Sequence, residues 1–292
     1  MIDYENFYRA SVQFLIDYAR KNGLKSYVLG ISGGIDSTVV AAIASEACRI
    51  LNIPFIGRSL PSKSNDSSEN NAADLVGKAF CTNYKAISIE HRVSIIKEVF
   101  DTFEREMSRL QYGNIKARFR MMYLYNLASL YRGCVLDTDN RTEHELGFWT
   151  IHGDVGDVNC GLIHLWKTEV FELAKWLEDY YAKNNLQDKY EAVHSSITLI
   201  PTDGNGVSKN DCEQFGLENY NQVDDVLKTM YYNHYPNSQR ALNKDDLNKE
   251  YLRLIDSYNE QGVDKVMVLH QNSEYKRKES PIYPDKCSVI YE

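Results

Sequence analysis

Apolar runs and periodic apolar positions alternate along the chain and predict alternating strands and helices. Phe7, Phe14, Leu15 and Tyr18 recur near helical spacing and predict a first helix over 3–22. Short apolar runs predict strands at 26–31, 53–61, 83–89 and 133–136. Periodic apolar segments predict further helices at 36–50, 72–80, 91–109, 114–131, 166–178, 223–231 and 247–261. This alternation is typical of an α/β fold with a parallel, doubly wound sheet flanked by helices.

Polar segments follow two of the predicted strands. Residues 32–38 follow the first strand, and residues 137–140 follow the fourth. In open parallel sheets, ligands bind at the carboxyl ends of the strands, so both segments are candidate binding loops. Residues 147–161 and 201–208 are predicted to be irregular loops. No repeat or linker is visible, and the sequence predicts a single domain over 1–292 with helical additions.

The segment after the first strand has the composition of a phosphate-binding turn. It reads Ser32-Gly33-Gly34-Ile35-Asp36-Ser37-Thr38. Two glycines permit a tight turn, and the helix that follows points free backbone N–H groups at an anion. Asp36 would repel a phosphate, which indicates a divalent cation between the two. The Gly-Lys-Ser/Thr of a Walker A motif is missing. The structural alternative is an ordinary glycine turn in which Asp36 or Ser37 caps the helix.

Composition narrows the class of protein. The chain has 292 residues, 43% apolar and 25% charged, as expected for a globular enzyme. Its net charge of −8 argues against a dedicated nucleic-acid surface. The sequence has neither an apolar run of membrane-spanning length nor an N-terminal signal core, so we expect a cytoplasmic protein without a membrane partner. Its six cysteines include no Cys-x-x-Cys pair, which favours reduced thiols over a zinc site or disulfide framework.

Several motifs together indicate a family. Residues 32–37 resemble the SGGxDS loop of the PP-loop ATP pyrophosphatases, which split ATP into AMP and pyrophosphate to activate a carbonyl or carboxyl group. The later motifs are Asn114-Ile115-Lys116-Ala117-Arg118-x-Arg120-Met121, Asp137-Thr138-Asp139-Asn140-x-x-Glu143, Gly147-Phe148-x-Thr150-x-x-Gly153-Asp154, Lys167-x-x-Val170, Pro201-Thr202 and Tyr275-Lys276-Arg277. This ordered series is similar to NAD synthetase over nearly the whole chain. The resemblance implies a Rossmann-like fold of the adenine nucleotide alpha hydrolase type.

The resemblance also implies a reaction. The family amidates the nicotinate carboxylate of deamido-NAD with ATP and ammonia, and releases AMP and pyrophosphate. Mg²⁺, basic side chains and oriented N–H groups must neutralise the anionic groups. Glutamine-dependent members carry a separate glutaminase domain. Because the synthetase motifs fill this 292-residue chain, we expect no glutaminase domain in it and free ammonia as the nitrogen source. The family likeness further implies a homodimer.

Residue roles carry over by position in the motifs. The matched ATP-binding positions are Gly30, Ser32, Gly33, Gly34, Asp36, Ser37, Thr138, Lys167 and Thr202. Asp36 and Glu143 match the metal ligands, and Asp36 and Lys167 match the catalytic pair. The expected deamido-NAD contacts are Arg118, Asp157 and Lys276. The structural alternatives are helix-dipole stabilisation by Glu143 and solvated surface positions for Lys167 and Arg118. Arg120, two residues from Arg118 on the same helix, faces elsewhere and is predicted to be structural.

Four positions depart from the family pattern. The resemblance places them at or beside the residues that would bind deamido-NAD. They are Asp137, Ile151, Val158 and Tyr275. The family places glycine, lysine, aspartate and histidine there, respectively, and Asp157 precedes Val158 by one place. The motifs therefore specify ATP cleavage more completely than they specify the acceptor. The alternatives are a PP-loop amidase or ligase acting on another carboxylate, and a catalytically silent nucleotide-binding protein.

Overall fold

The computed structural model describes residues 2–202, 210–234, 244–279 and 281–284. The strands are β1 Tyr27–Gly30, β2 Phe55–Ser59, β3 Asn83–Ala86, β4 Cys134–Asp137 and β5 Val158–Asn159. The helices are α1 Tyr4–Asn22, α2 Ile35–Leu51, α3 Ser67–Phe80, α4 Glu90–Phe103, α5 Arg109–Tyr131, α6 Arg141–Leu146, α7 Lys167–Lys183, α8 Gln187–Ile197, α9 Asp211–Phe215, α10 Tyr220–His234, α11 Lys244–Ser257 and α12 Glu260–Asn272. Short 3₁₀ turns lie at Leu162–His164 and Lys276–Lys278.

The five strands form one parallel sheet in the order β3-β2-β1-β4-β5. The strand order reverses between β1 and β4, since Tyr27 of β1 pairs with both Phe55 of β2 and Cys134 of β4. A crevice opens at the carboxyl edge of such a sheet where the order reverses. The loops that follow β1 and β4 therefore meet there.

Helices cover both faces of the sheet. Tyr27 and Leu29 of β1 point into a core shared with α1, α2, α7 and α8, whereas Val28 points into a second core with α4 and α5. This division follows from the two-residue alternation of side chains along a strand. Phe215 and Val223 belong to a third cluster, which joins α9–α12 to α6. Among the residues that the structure describes, no helix is long and apolar enough to cross a membrane.

The doubly wound parallel sheet predicted from the sequence is confirmed, and the differences from prediction are local. α8 was not predicted, and β5 lies inside the segment predicted to be an irregular loop. A single helix predicted over 247–261 is two helices, because Asn259 caps the start of α12 by accepting a hydrogen bond from Gly262 N–H. The helix that carries Asn114–Arg118, α5, begins at Arg109 rather than at the predicted residue 114. Ser108 and Gln111 form a capping box at its start.

Two further expectations can be compared with the structure. Among the described residues, Cys48, Cys134, Cys160 and Cys212 are buried free thiols and Cys81 is a half-buried one, while Cys287 lies outside them. Most of the loop predicted at 201–208 lies outside the described residues.

The glycine loop between β1 and α2, residues 32–37 and hereafter the phosphate loop, packs against α3 of the next βα unit. Gly33 has φ +86°, and a Cβ there would lie 2.6 Å from the backbone oxygen of Glu69 and 2.7 Å from the nitrogen of Ala73. Left-handed backbone and close approach both require glycine at this position. Gly23 also has a positive φ, but nothing lies within 4 Å of its Cβ position.

We predict that Gly33→Ala destabilises the protein more than Gly23→Ala. Left-handed backbone costs a non-glycine residue about 1–2 kcal/mol, which is the whole expected loss at Gly23. At Gly33 the contact with α3 adds to it, so we expect a loss above about 2 kcal/mol. Urea unfolding of both variants measures the difference, and equal losses would show that α3 does not brace the loop.

Candidate active site

A cleft of about 710 Å³ opens where the strand order reverses. One wall is the phosphate loop and the segment after β4. The remainder of the lining includes α5 and the segment around Trp149. Ten predicted site residues line the cleft: Gly30, Ser32, Gly34, Asp36, Arg118, Thr138, Glu143, Lys167, Thr202 and Lys276. Gly33 and Ser37 are buried within the loop itself, and Asp157 does not line the cleft.

The phosphate loop is held by its own hydroxyl groups. Ser32 Oγ lies 2.9 Å from Ser37 Oγ and accepts a hydrogen bond from Gly34 N–H at 3.1 Å. The residue that precedes the first turn of α2 is Gly34, with no side-chain cap. The alternative in which Asp36 or Ser37 caps this helix is therefore wrong. Instead, the Asp36 side chain bonds to groups from elsewhere in the chain.

The cleft is lined by an ion triad of one buried amine and two half-buried carboxylates. Lys167 Nζ lies 2.5 Å from Asp36 Oδ2 and 3.1 Å from Glu143 Oε1. Lys167 is only 3% exposed, so the solvated-surface alternative for it is wrong. Glu143 occupies the first turn of α6, as the helix-dipole alternative required, but it also pairs with Lys167. The triad thus joins α2, α6 and α7 across the carboxyl edge of the sheet.

Asn140 connects the two carboxylates of the triad. Its Nδ2 donates to Asp36 Oδ1 at 2.8 Å, and its Oδ1 accepts from Glu143 N–H at 3.1 Å as the N-cap of α6. Its backbone N–H in turn donates to the Glu143 side chain at 3.2 Å. One side chain therefore fixes the start of α6 and the orientation of Asp36 together.

Asp224, on α10, holds the start of α7 against α6. Its carboxylate accepts from Thr142 Oγ1 at 2.5 Å and from Thr168 N–H at 2.9 Å. Thr142 Oγ1 in turn accepts from Lys167 N–H at 2.8 Å. All these groups are buried or half-buried, so the backbone that carries Lys167 is fixed in position.

Burial sets the electrostatics of the triad. It raises the pKa of Glu143 to about 7, with Asp36 adding to the rise and Lys167 opposing it. Burial alone would lower the pKa of Lys167, but Asp36, Glu143 and Asp211 outweigh it, and the pKa is raised. The amine therefore stays charged at neutral pH. Lys167 also lies 5.3 Å above the ring of Tyr220, whose hydroxyl donates to Asp211.

The chemistry of the two carboxylates fits Mg²⁺. Asp36 and Glu143 present hard oxygen ligands close enough to share one cationic group. Mg²⁺ in nucleotide enzymes is commonly bound by one or two carboxylates together with substrate phosphates, and the phosphate loop adjoins Asp36. These two residues would hold the ion, which supplies charge neutralisation of a polyphosphate.

Basic residues from α5 and from the segment after α12 also line the cleft. Arg118 Nε donates to Ile151 O at 3.1 Å, and its exposed side chain lines the cleft. Lys276 Nζ donates to Gly147 O at 2.8 Å and to Trp149 O at 2.6 Å. Arg120 bonds to Leu60 O and Asn65, a structural arrangement in agreement with the sequence interpretation, although it also lines the cleft.

Of Asp157 and the four positions that depart from the family pattern, only two line the cleft. Asp157 accepts from Val135 N–H at 3.0 Å, below the cleft on β4. Asp137 is fully buried and accepts from Gly156 N–H, Asp139 N–H and Asn159 Nδ2, and burial raises its pKa to about 6. Val158 is buried in β5. Ile151 and Tyr275 line the cleft.

Sequence reasoning missed several residues that build the site. Asn140 and Asp139 lay in a polar cluster noted at the end of a strand, but without assigned roles. The position of Asn140 just before α6 was a usable capping signal. Thr142 and Asp224 carry no such signal, because their partnership joins positions far apart in the chain.

The parallel sheet with its two-glycine loop at the switch point is a PP-loop, Rossmann-like fold. The profile of the NAD synthase family matches residues 7–280, and the chain belongs to that family.

Individual relatives agree with this assignment. The chain is 30% identical to the NH₃-dependent NAD⁺ synthetase of Pyrococcus furiosus over 278 residues, which cover 95% of each protein. It is 31% identical to the glutamine-dependent NAD⁺ synthetase of Aquifex aeolicus over 98% of this chain but only 46% of that one. The structure of NMN synthetase from Francisella tularensis superposes with a TM-score of 0.73 at 23% identity, covering 98% of this chain and 100% of that one.

We predict that Asn140→Ala weakens the fold and loosens the Asp36–Glu143 pair, which would hold Mg²⁺. Loss of a helix N-cap costs about 1 kcal/mol, and the Asp36 carboxylate loses its fixed partner. The concentration of Mg²⁺ needed for half-maximal pyrophosphate release from ATP should therefore rise several-fold. Asn259→Ala, which removes the equivalent cap of α12, should cost similar stability without changing the Mg²⁺ requirement. Identical Mg²⁺ curves for the two variants would contradict the role of Asn140.

Proposed function

We propose that the protein catalyses ATP-dependent amidation of deamido-NAD with ammonia, releasing AMP and pyrophosphate. The observation that carries this proposal is the Asp36–Lys167–Glu143 triad beside the phosphate loop. The family membership and the near full-length match to an NH₃-dependent NAD⁺ synthetase support it.

The chemistry explains why the triad is placed at the phosphate loop. A carboxylate does not react with ammonia at neutral pH, because oxide would have to leave. The nicotinate carboxylate attacks the α-phosphorus of ATP, and pyrophosphate departs. Ammonia then attacks the adenylated carbonyl carbon and loses one proton to solvent, and AMP leaves with the electron pair of the broken carbon–oxygen bond. Lys167 stabilises negative charge on the phosphates, while Gly30, Ser32, Gly33, Gly34 and Ser37 form the cradle for the departing pyrophosphate.

The remaining assignments are proposals of the same kind. Thr138 and Thr202 contact ATP from the cleft wall, and Asp36 and Glu143 hold Mg²⁺. Arg118 and Lys276 bind the acceptor, and both line the cleft. Asp157 contributes only if its bond to Val135 N–H is exchanged for one to the substrate.

We further propose a homodimer of single-domain chains, functioning in the cytoplasm without a nucleic-acid or membrane partner. Support for the dimer comes from α4, whose predicted apolar face is largely outside the core. Val93 is buried, but Val99 is 54% exposed and Phe103 is 78% exposed. The neighbouring α5 adds exposed Met122 and Tyr125. Exposed apolar side chains on two packed helices are typical of an interface.

We predict that Asp36→Asn loses activity when the purified protein receives Mg-ATP, deamido-NAD and ammonium. Wild-type protein should release pyrophosphate and form NAD in equal amounts. The variant should be slower by at least about 100-fold, since one charge of the metal pair is removed at the reacting phosphates. Asp256→Asn, an exposed substitution on α11, should retain wild-type activity.

Other outcomes of this assay separate the competing functions. Full activity of Asp36→Asn would contradict the metal assignment. Pyrophosphate release without NAD would indicate a different acceptor carboxylate, and no release with any acceptor would indicate a silent nucleotide-binding protein. Formation of NAD from glutamine but not from ammonium would overturn the proposed nitrogen source.

We predict that a double variant, Val99→Glu with Phe103→Glu, is monomeric. Two carboxylates in an apolar interface would remain unpaired on association and oppose it. Size-exclusion chromatography with light scattering measures the mass. Leu252→Glu, at an exposed apolar position on α11, should remain dimeric. A monomeric wild-type protein would refute the dimer.

A further inference from the structure

Lys276 is tethered beside the cleft by two backbone carbonyls. Its Nζ donates to Gly147 O and Trp149 O and lies 5.6 Å from the centre of the Trp149 ring. A lysine ammonium has three N–H donors, and in the described part of the chain the third has no hydrogen-bond acceptor. Because Lys276 lines the cleft, that donor is available to an anionic ligand only while its turn stays docked on residues 147–149.

The turn that carries Lys276 is fastened to the end of α6. The carbonyl oxygen of Glu145 accepts from Arg277 Nη1 at 2.9 Å, and His270 Nδ1 lies 3.0 Å from it. Arg277 also donates from Nη1 and Nη2 to His270 O, at 3.0 Å each, and from Nη1 to Ser273 Oγ at 2.7 Å. The last carbonyls of a helix lack intrahelical partners and attract cations. One guanidinium therefore joins the last turns of α6 and α12.

The side chain of Glu145 holds the same junction. Glu145 is 2% exposed, and its carboxylate lies 3.2 Å from His270 Nδ1 and 2.6 Å from Arg141 Nη2. Burial would raise the pKa of this carboxyl. The imidazoles of His144 and His270 and the guanidinium of Arg141 outweigh burial and hold the pKa well below its usual range. The carboxylate is therefore ionised at neutral pH, and it holds the imidazole of His270, on α12, against α6.

The far end of the turn is fixed independently. Glu279 accepts from Trp149 Nε1 at 3.2 Å and from His152 N–H at 2.9 Å. Loss of the Glu145 contacts should therefore misplace the Lys276 amine without detaching the turn.

We propose that Glu145 is a positioning residue for Lys276, and that its carboxylate sets the place at which the amine meets the acceptor substrate. The contacts run from Glu145 to His270, and through Arg277 to the neighbouring Lys276. Glu145, His270 and Arg277 do not line the cleft, so they act on the substrate through the turn that they hold. This inference rests on the proposed function, in which Lys276 binds deamido-NAD, and it adds a determinant of acceptor affinity outside the cleft lining.

Glu145→Gln tests this role, because it keeps the size of the side chain and removes its charge. NAD formation is measured against deamido-NAD at saturating Mg-ATP and ammonium, and then against ATP at saturating deamido-NAD. We expect KM for deamido-NAD to rise about tenfold, as for partial loss of one charge-assisted contact, with kcat and KM for ATP within about twofold of wild type. A rise in KM at constant kcat is the signature of weakened substrate binding.

A double-mutant cycle shows whether Glu145 acts through Lys276. Lys276→Met should raise KM for deamido-NAD by at least about tenfold, since it removes the charged donor. Adding Glu145→Gln to Lys276→Met should change KM by less than about twofold, because no amine is left to misplace. Losses that multiply in the double variant would show that Glu145 supports the fold generally, and would overturn the inference.

Glu178→Gln is the matched control. It removes a carboxylate that pairs with His194 at 2.6 Å and joins α7 to α8, as Glu145 joins α6 to α12. Neither α7 nor α8 carries the turn of Lys276, so this variant should keep both KM values. If Glu145→Gln does not fold, Arg277→Lys replaces it, since lysine keeps the charge but lacks the planar fork that reaches two carbonyls. The same rise in KM for deamido-NAD is expected.

Two further results would overturn the inference. They are an unchanged KM for deamido-NAD in Glu145→Gln, and an equal rise in KM for ATP, which would show that α6 as a whole had moved together with Glu143. An unchanged KM for deamido-NAD in Lys276→Met would refute the acceptor role of Lys276, and the inference with it. If wild-type protein forms no NAD from deamido-NAD and ammonium, the proposed function itself fails, which this design distinguishes from a failure of the positioning role alone.

Discussion

The attraction between one buried amine and two carboxylates organises the cleft. Lys167 begins α7, Asp36 lies in the first turn of α2, and Glu143 lies in the first turn of α6. Because all three helices start at the carboxyl edge of the sheet, their first turns can meet above the point where the strand order reverses. Removing the amine would leave two like charges in a site of low dielectric, where repulsion is strong.

A buried ion group of this kind is weak evidence for stability, since desolvation offsets much of its attraction. Its geometry is nevertheless tightly specified here. Asn140 ties the two acids together, and Asp224 with Thr142 fixes the backbone of Lys167. The helices outside the sheet thus contribute to the site, because α10 carries Asp224. This gives the additional helical cluster a role beyond covering apolar surface.

The sequence alone predicted the sheet class and a glycine turn between β1 and α2, and ten of the residues it singled out line the cleft. These follow from local signals: apolar runs for strands, two glycines for the turn, and short motifs in a fixed order. It could not predict that Asp157 bonds to Val135 N–H, because that depends on the pairing of β5 with β4. It also missed α8, which buries only Ala192, Val193 and Ser196 along its length. The partnership of Asp224 with Thr142 arises only from tertiary packing.

The braced phosphate loop has a thermodynamic consequence for ligand binding. Hydroxyl contacts among Ser32, Gly34 and Ser37, together with the packing of Gly33 against α3, restrict the loop to one conformation by contacts within the protein itself. A site that is already ordered loses little conformational entropy when its ligand arrives. Nucleotide binding should therefore draw its free energy from polar contacts and released water, with the ordering penalty confined to flexible parts of the substrates.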